Sequence, residues 1–459
     1  MARTSEVPDT LVVVLGGAVA GKLVRQANAT LRFDYDESYR ANPEATPVSL
    51  AMPLAVRTHQ DGRGRRIVTN FLWGLLPEND AVLERWGRHY QVSISSPYPL
   101  LSTPVGEDCA GAVAFCPLDQ LPRLLERPGH VDWLTDSDVA GRIRELRRDQ
   151  TAWLGRTFTG QFSLAGAQAK TALLYRDGRW GVPSGGAATT HILKPAVAGL
   201  DDHDLNEHLC LAAARRAGLV AARSWVGTFE DQSAIVVERY DRIVEGALVV
   251  RIHQEDVCQA LGSAPAAKYQ RDGGPSPADI AELLRRWVTP AAAGEDAVRR
   301  FADALIWNWI IAGTDAHAKN YSVLLSGPQV RLAPLYDVAS ALPYGAHEKK
   351  LRFAMKIGGD YDVYPRFTRW PAVARELGLD PDRLADRVRE LAAAAPDALS
   401  AAAAEPDVKA LVRPLSAKLV DLVAERARRC GALVSANPAN RRSSRCGTAT
   451  GRLEPWPEI

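Results

Sequence analysis

Between residues 162 and 245 a set of short segments follows in an order that few folds accommodate. TALLY, the turn RDGR and WGV read as a β-hairpin bent at Asp177-Gly178. HILKP is a short strand that carries Lys194 and is ended by Pro195. DLNEHLCLAAARRAGL (204–219) has helical apolar spacing and a glycine stop at Gly218. SWVGTF and AIVVERYD then form two strands around Glu230-Asp231-Gln232. Further on, FADALIWNWII (301–311) spaces Phe301, Leu305 and Trp309 so that one helix face is buried. The polar loop GTDAHAKN follows, with Asp315, His317 and Asn320. YSVLLS and VRLAPLYD make a hairpin around Gly327-Pro328, and its second strand is expected to deliver Asp337.

Hairpin, lysine strand, helix, strand, strand is the order of a protein-kinase small lobe. Helix, Asp-x4-Asn loop, hairpin and aspartate match a kinase catalytic loop and metal aspartate. The chemistry accounts for the residue types. Phosphoryl transfer leaves the protein little covalent work, so position and charge neutralisation dominate. Asp315 can orient an attacking hydroxyl and accept its proton. Asn320 and Asp337 offer oxygen ligands of the kind Mg²⁺ prefers. Lys194 can hold the α- and β-phosphates, and Glu207 on the next helix can fix it. Backbone N–H groups of the turn Ala165-Gly166-Ala167-Gln168 can face phosphate, and Glu238 and Tyr240 suit adenine. Singly these signals are weak: Asp-x4-Asn arises by chance about once in a chain of this length. Gly166 alone is a turn glycine, Lys194 an edge-strand lysine, Glu207 a solvated charge and Asp337 a turn residue. Their joint order carries the argument. His317 reads equally as a nucleotide contact or a packed loop imidazole, and His253 and Cys258 read as packing.

The expected fold class is α+β: a bilobal kinase-like fold with an N-terminal mixed α/β subdomain and a mostly helical C-terminal lobe. The divisions are residues 1–117 for that subdomain, 118–157 for a linker with helices, 158–245 for the small lobe and 246–435 for the helical lobe. Residues 436–459 lack apolar periodicity and read as a disordered tail. Within 11–116, LVVVLGG, LRFDYDESY, PVSLAMPL and GAVAF alternate with turns, and FLWGLLPENDAVLERW shows helical spacing. The Ala-rich stretch 389–404 reads as helix. Lys and Arg number 56 against 54 acidic residues, a net charge of +2 that argues against a polybasic binder. Six cysteines without a CxxC pair read as free thiols in a reducing compartment. The apolar run 11–21 is too short to span a bilayer, so a cytoplasmic chain with no membrane partner is expected.

FSLAGAQAKTALL, HILKP, NEHLCLAAARRAGL, VERYDR, HQEDVCQALG, NWIIAGTDAHAKNYSVLL and LAPLYDVAS together resemble the HipA family of serine/threonine kinase toxins. PVSLAMPL, FLWGLLPEND and GEDCAGAVAF resemble the small domain that precedes the kinase lobes there. The likeness spans about residues 10–430. It implies that Asp315 is the catalytic base, that Asn320 and Asp337 hold Mg²⁺, and that Lys194 binds ATP phosphates. It also implies that Ala165, Gly166, Ala167, Gln168, Ala169 and Lys170 form the nucleotide loop, that Glu238, Arg239 and Tyr240 form the adenine hinge, and that His317, Lys319 and Asn320 line the nucleotide. Ser163 would be an autophosphorylation site whose charge disorders the loop. Ala169 stands where many members carry Glu. The resemblance further implies a type II toxin–antitoxin pair: a small helix-turn-helix antitoxin (HipB-like), operator DNA reached through the complex, and a translation protein, such as an aminoacyl-tRNA synthetase, as substrate. Two rivals are an inactive corepressor scaffold and a small-molecule phosphotransferase. Four intact site residues speak against the first, and the basic run HEKKLRFAMKIGG speaks weakly against the second.

Overall fold

The structure is a computed structural model that describes residues 7–126, 128–154, 163–246, 248–345, 347–364 and 370–435. The segment 436–459, expected to be a disordered tail, lies outside the described residues. The fold is α+β, and its N-terminal unit is built on a five-stranded antiparallel sheet. The strand order is Thr58–Gln60, Leu31–Tyr35, Ala18–Arg25, Thr10–Leu15, Val113–Pro117. Leu11, Val13 and Leu15 face one core with Phe33, Phe71 and Trp86. Val12 and Val14 face a smaller cluster with Cys116. A strand covered on both faces reads as the continuous apolar run LVVVL. PVSLAMPL is not a strand; it holds only an isolated bridge between Ser49 and Met52. FLWGLLPENDAVLERW is two helices, Ile67–Gly74 and Asp80–Tyr90, not one. Pro77 denies a backbone donor and Asn79 caps the second helix with its side chain, so the chain breaks at Leu75–Asn79.

A second, six-stranded antiparallel sheet holds the kinase-like small lobe. Its order is Ser224–Phe229, Gln232–Glu238, His191–Lys194, Thr171–Arg176, Arg179–Gly185, Gly129–Leu134. Asp177 and Gly178 both have positive φ, as a tight two-residue hairpin requires. Ile235 and Val237 belong to the core of helix His203–Arg216, whereas Ala234 and Val236 pack with Val139 and Ile143 of helix Asp136–Arg148. The segment 118–157, read from sequence as linker and helices, therefore also supplies an edge strand. Gly129–Leu134 is largely solvent-facing and carries no buried alternation, which hid it; Trp133 is covered by the Arg179 guanidinium.

The remaining lobe is mostly helical. Helix Ala291–Ile311 runs through its core, flanked by Pro277–Trp287, Trp370–Leu377, Pro381–Ala403 and Leu415–Ser435. It begins ten residues before the FADALIWNWII segment and is buried on nearly every side near its end, not on one face. The small antiparallel sheet His253–Asp256, Ser322–Ser326, Gln329–Leu332 lies beside it. The second hairpin strand stops at Leu332, so Asp337 sits in the loop beyond it. Cys109, Cys116, Cys210, Cys258 and Cys430 are buried and free. His253 is buried, with Nε2 2.9 Å from the Val48 carbonyl oxygen, as packing requires.

The N-terminal unit is fastened to the helical lobe by Glu255. Its carboxyl accepts from the Ser49 hydroxyl (2.6 Å) and the Leu50 N–H (2.7 Å). Burial pushes this carboxyl up to about 8, against the lowering effect of those two donors. A folded value above the unfolded one gives a contribution that is complete in acid and is lost as pH rises from about 4.5 towards 8. Glu255→Gln is expected to flatten the fall in stability across that window, as read from urea unfolding at a series of pH values. An unchanged slope contradicts this role.

Candidate active site

The six-stranded sheet, the helical lobe and Gly74, Glu78 and Ala110 of the N-terminal unit line a cleft of about 1210 Å³. On its small-lobe wall, Lys194 ends a central strand, and its Nζ donates to Glu207 Oε1 at 2.9 Å with both side chains almost wholly buried. The helix His203–Arg216 places Glu207 opposite that strand end. Lys194 Nζ also contacts Asp337 Oδ1, so one ammonium joins the two lobes. Asp337 has φ +53°, a left-handed conformation that costs a non-glycine residue of order 1 kcal/mol. Its carboxylate remains partly open to the cleft.

The opposite wall is the loop after helix Ala291–Ile311. Ala312 takes the left-handed conformation, and the Gly313 N–H donates to the Asn308 carbonyl at 2.8 Å. A Cβ on Gly313 would run into Asn308 Oδ1, so a larger residue there would displace that side chain. Asn320 Nδ2 donates to the Asp315 backbone oxygen at 2.7 Å, which closes the loop and leaves the amide oxygen for another partner. The Asp315 side chain is 69% exposed and reachable by a large substrate. Tyr269 donates its hydroxyl to Asp315 Oδ1 at 2.8 Å. His317 lies edge-on to the Tyr269 ring, and burial holds it below its ordinary value against the opposing pull of Asp315.

The loop 163–170 lies along the cleft floor. Gly166 has φ +109°, and a Cβ there would meet Lys170 Nζ at 2.5 Å. Lys170 is buried, donates to the Ala165 carbonyl at 2.7 Å and lies over the Trp153 ring. Burial first, and then Lys194, bring its ammonium down to about 7. Gln168 Nε2 donates to the Pro195 carbonyl at 3.2 Å, and Ala167 is exposed. Ala169 packs into the N-terminal core at the edge of the cleft, and its methyl offers no polar group there. Ser163 is fully buried: its hydroxyl donates to the Leu75 carbonyl at 2.7 Å and its N–H to the Asp108 carbonyl at 2.8 Å.

Two residues expected to line the nucleotide have side chains engaged elsewhere. The Arg239 guanidinium is buried against Asp241 and donates to Thr189, because a buried carboxylate between Arg239 and Arg242 demands both charges. Lys319 is buried on Asp256; burial alone would lower its ammonium, but Asp256 and Glu78 hold it raised. Glu238 is exposed at the strand end, and the Tyr240 ring packs 5.6 Å from that of Tyr336. Glu78 and Lys268, which line the cleft, and Tyr269, whose hydroxyl meets the Asp315 carboxylate, were missed by sequence reasoning. The one available signal for Glu78 was the Pro77–Asn79 helix break that projects it.

The family model for the HipA-like C-terminal domain matches residues 162–399, and that for the HipA N-terminal domain matches 11–116. The Sinorhizobium fredii protein named "Putative kinase Y4mE" is 34% identical over 378 residues, 82% of this chain and 87% of that one. The serine/threonine-protein kinase toxin HipA of Shewanella oneidensis is 30% identical over 410 residues, 85% of this chain and 88% of the relative. The structure is similar to that of the Shewanella oneidensis toxin–antitoxin system HipA, HipB and operator DNA complex. The TM-score is 0.74 and the identity 25%, with 93% of this chain and 96% of that one covered.

Proposed function

Because the chain belongs to the HipA family, we propose that it is an ATP-dependent serine/threonine protein kinase acting as the toxin of a type II toxin–antitoxin pair. The observation that carries this reading is the Lys194–Glu207 ion pair facing Asp315 and Asn320 across one cleft, with Asp337 reaching between them. An inactive scaffold has no physical need to bury a lysine on a glutamate and aim it at a second carboxylate.

In this reading Lys194 and Lys170 neutralise the phosphates of ATP, and the backbone of 165–169 cradles them. Glu238 to Tyr240 face adenine through their backbone, since the Arg239 side chain is committed to Asp241. Asp315 accepts the proton of an acceptor serine or threonine hydroxyl as that oxygen attacks the γ-phosphorus. Asn320 Oδ1 and the Asp337 carboxylate make an oxygen donor set suited to Mg²⁺ together with phosphate oxygens. Mg²⁺ bound there neutralises charge on the phosphates. The exposure of Asp315 suits a protein acceptor, and we assign the substrate to a protein of translation such as an aminoacyl-tRNA synthetase. No described helix is long and apolar enough to cross a membrane, and we place the protein in the cytoplasm. The HipB and operator DNA of the similar Shewanella complex support a helix-turn-helix antitoxin partner, with DNA reached through it.

Ser163 supplies an off-switch. Its hydroxyl is buried on Leu75, so phosphorylation requires the loop 163–170 to leave its seat. A phosphate there brings about −1.5 to −2 charges and cannot return to the same pocket. The phosphorylated chain is expected to bind ATP about tenfold or more weakly than the unmodified chain in titration calorimetry; equal affinity contradicts the switch. The kinase reading itself is tested by γ-labelled ATP offered with translation proteins or with an aminoglycoside. Label in a protein band supports it, and turnover stimulated only by the aminoglycoside favours the small-molecule rival.

A further inference from the structure

Glu78 lies on the N-terminal unit and touches both working loops of the cleft. Its N–H donates to the Gly166 carbonyl at 3.1 Å, tying the turn Leu75–Asn79 to the nucleotide loop. Its carboxylate takes Lys268 Nζ at 2.7 Å on one oxygen and lies 3.7 Å from Lys319 Nζ with the other. Burial would raise this carboxyl, but Lys319 and Lys268 hold it lowered and charged. Lys268 in turn accepts the Ala318 N–H on its backbone oxygen at 3.2 Å, within the Asp315 loop. Its neighbour Tyr269 donates to Asp315 Oδ1 at 2.8 Å. The Gly274 and Asp272 N–H groups close the turn on the Tyr269 carbonyl, and the ring is flanked by Lys268, Arg271 and His317. Asp315 itself is mostly exposed, and its backbone bonds do not fix its carboxylate.

We propose that Tyr269 is a positioning residue for Asp315, and that Glu78 holds it in place from the N-terminal unit through Lys268. The Tyr269 hydroxyl occupies Oδ1 and leaves Oδ2, which lies 3.9 Å from His317 Nε2, for the acceptor. A carboxylate free to rotate spends less time in attack geometry. The N-terminal unit is thereby part of the catalytic apparatus, not only a neighbour of it. This inference rests on the kinase reading.

The test uses the full chain with Tyr269→Phe and Glu78→Gln. Tyr269→Phe is expected to lower kcat about tenfold while KM for ATP and the melting temperature stay unchanged, a split that a merely structural tyrosine would not give. Wild-type kcat in that variant overturns the proposal, and so does a raised kcat, which would make Tyr269 a block on the acceptor. Glu78→Gln is read independently by hydrogen exchange. Faster exchange of the Ala318 and Asn320 amides, without change in helix Ala291–Ile311, supports the link, and unchanged protection overturns it. Absence of transfer in the wild type would count against the kinase reading alone, and the exchange measurement would still decide the link.

Discussion

Asp315→Asn is expected to lower phosphoryl transfer about 10³-fold and to leave ATP affinity within about twofold. The substitution removes the one exposed carboxylate in the catalytic loop and keeps its shape. The asparagine amide still fits beside Tyr269, and the Asn320 bond to the residue 315 backbone is untouched. What disappears is a base able to take the acceptor proton as the new oxygen–phosphorus bond forms. In the proposed reading the nucleotide contacts come from Lys194, the 165–170 loop and the segment 238–240, none of which depends on that carboxylate. Single-turnover transfer together with nucleotide titration separates the two quantities. Parallel loss of affinity and rate would assign Asp315 to nucleotide binding instead.

Lys194→Met has an effect of similar size by a different route. Lys194 and Glu207 are almost completely buried, and the lysine also meets Asp337. Removing the ammonium leaves Glu207 as an uncompensated buried carboxylate, which destabilises a protein by about 3–5 kcal/mol. It also removes the cation expected to bind the α- and β-phosphates. A second change, Glu207→Leu, relieves the buried charge, so the double variant is expected to recover most of the stability and none of the ATP binding. Denaturant unfolding and nucleotide titration on the four members of that cycle check this. Recovery of ATP binding in the double variant contradicts the phosphate role of Lys194.

The parts legible in the sequence were those whose signal is local. Asp177-Gly178 marks its own turn, Pro195 ends the lysine strand, and the spacing of 204–219 shows a helix that carries Glu207. The structure brings Lys194, Glu207 and Asp337 together and sets Asp315 and Asn320 facing them. The parts that were not legible depend on distant partners. Glu78 and Lys268 meet across 190 positions, and nothing near either residue announces the other. The Gly129–Leu134 strand exposes most of its side chains, so it has neither the alternation nor the apolar run of a buried strand. Arg239 sits at a hinge position by order along the chain, but a carboxylate two residues on, Asp241, claims its guanidinium. Ser163 could be placed before the loop by resemblance, whereas its burial against Leu75 is a property of the assembled N-terminal unit.

The central claim is that this cleft transfers the γ-phosphoryl group of ATP to a protein hydroxyl through Asp315. Its most direct test is intact-mass spectrometry of the purified, dephosphorylated chain after Mg²⁺-ATP, beside Asp315→Asn, with peptide mapping around Ser163. The account predicts a phosphoryl adduct on the wild type and none on the variant, with both binding ATP. Equal adducts on the two chains, or a wild type that binds ATP and transfers nothing to itself or to any translation protein, would contradict it.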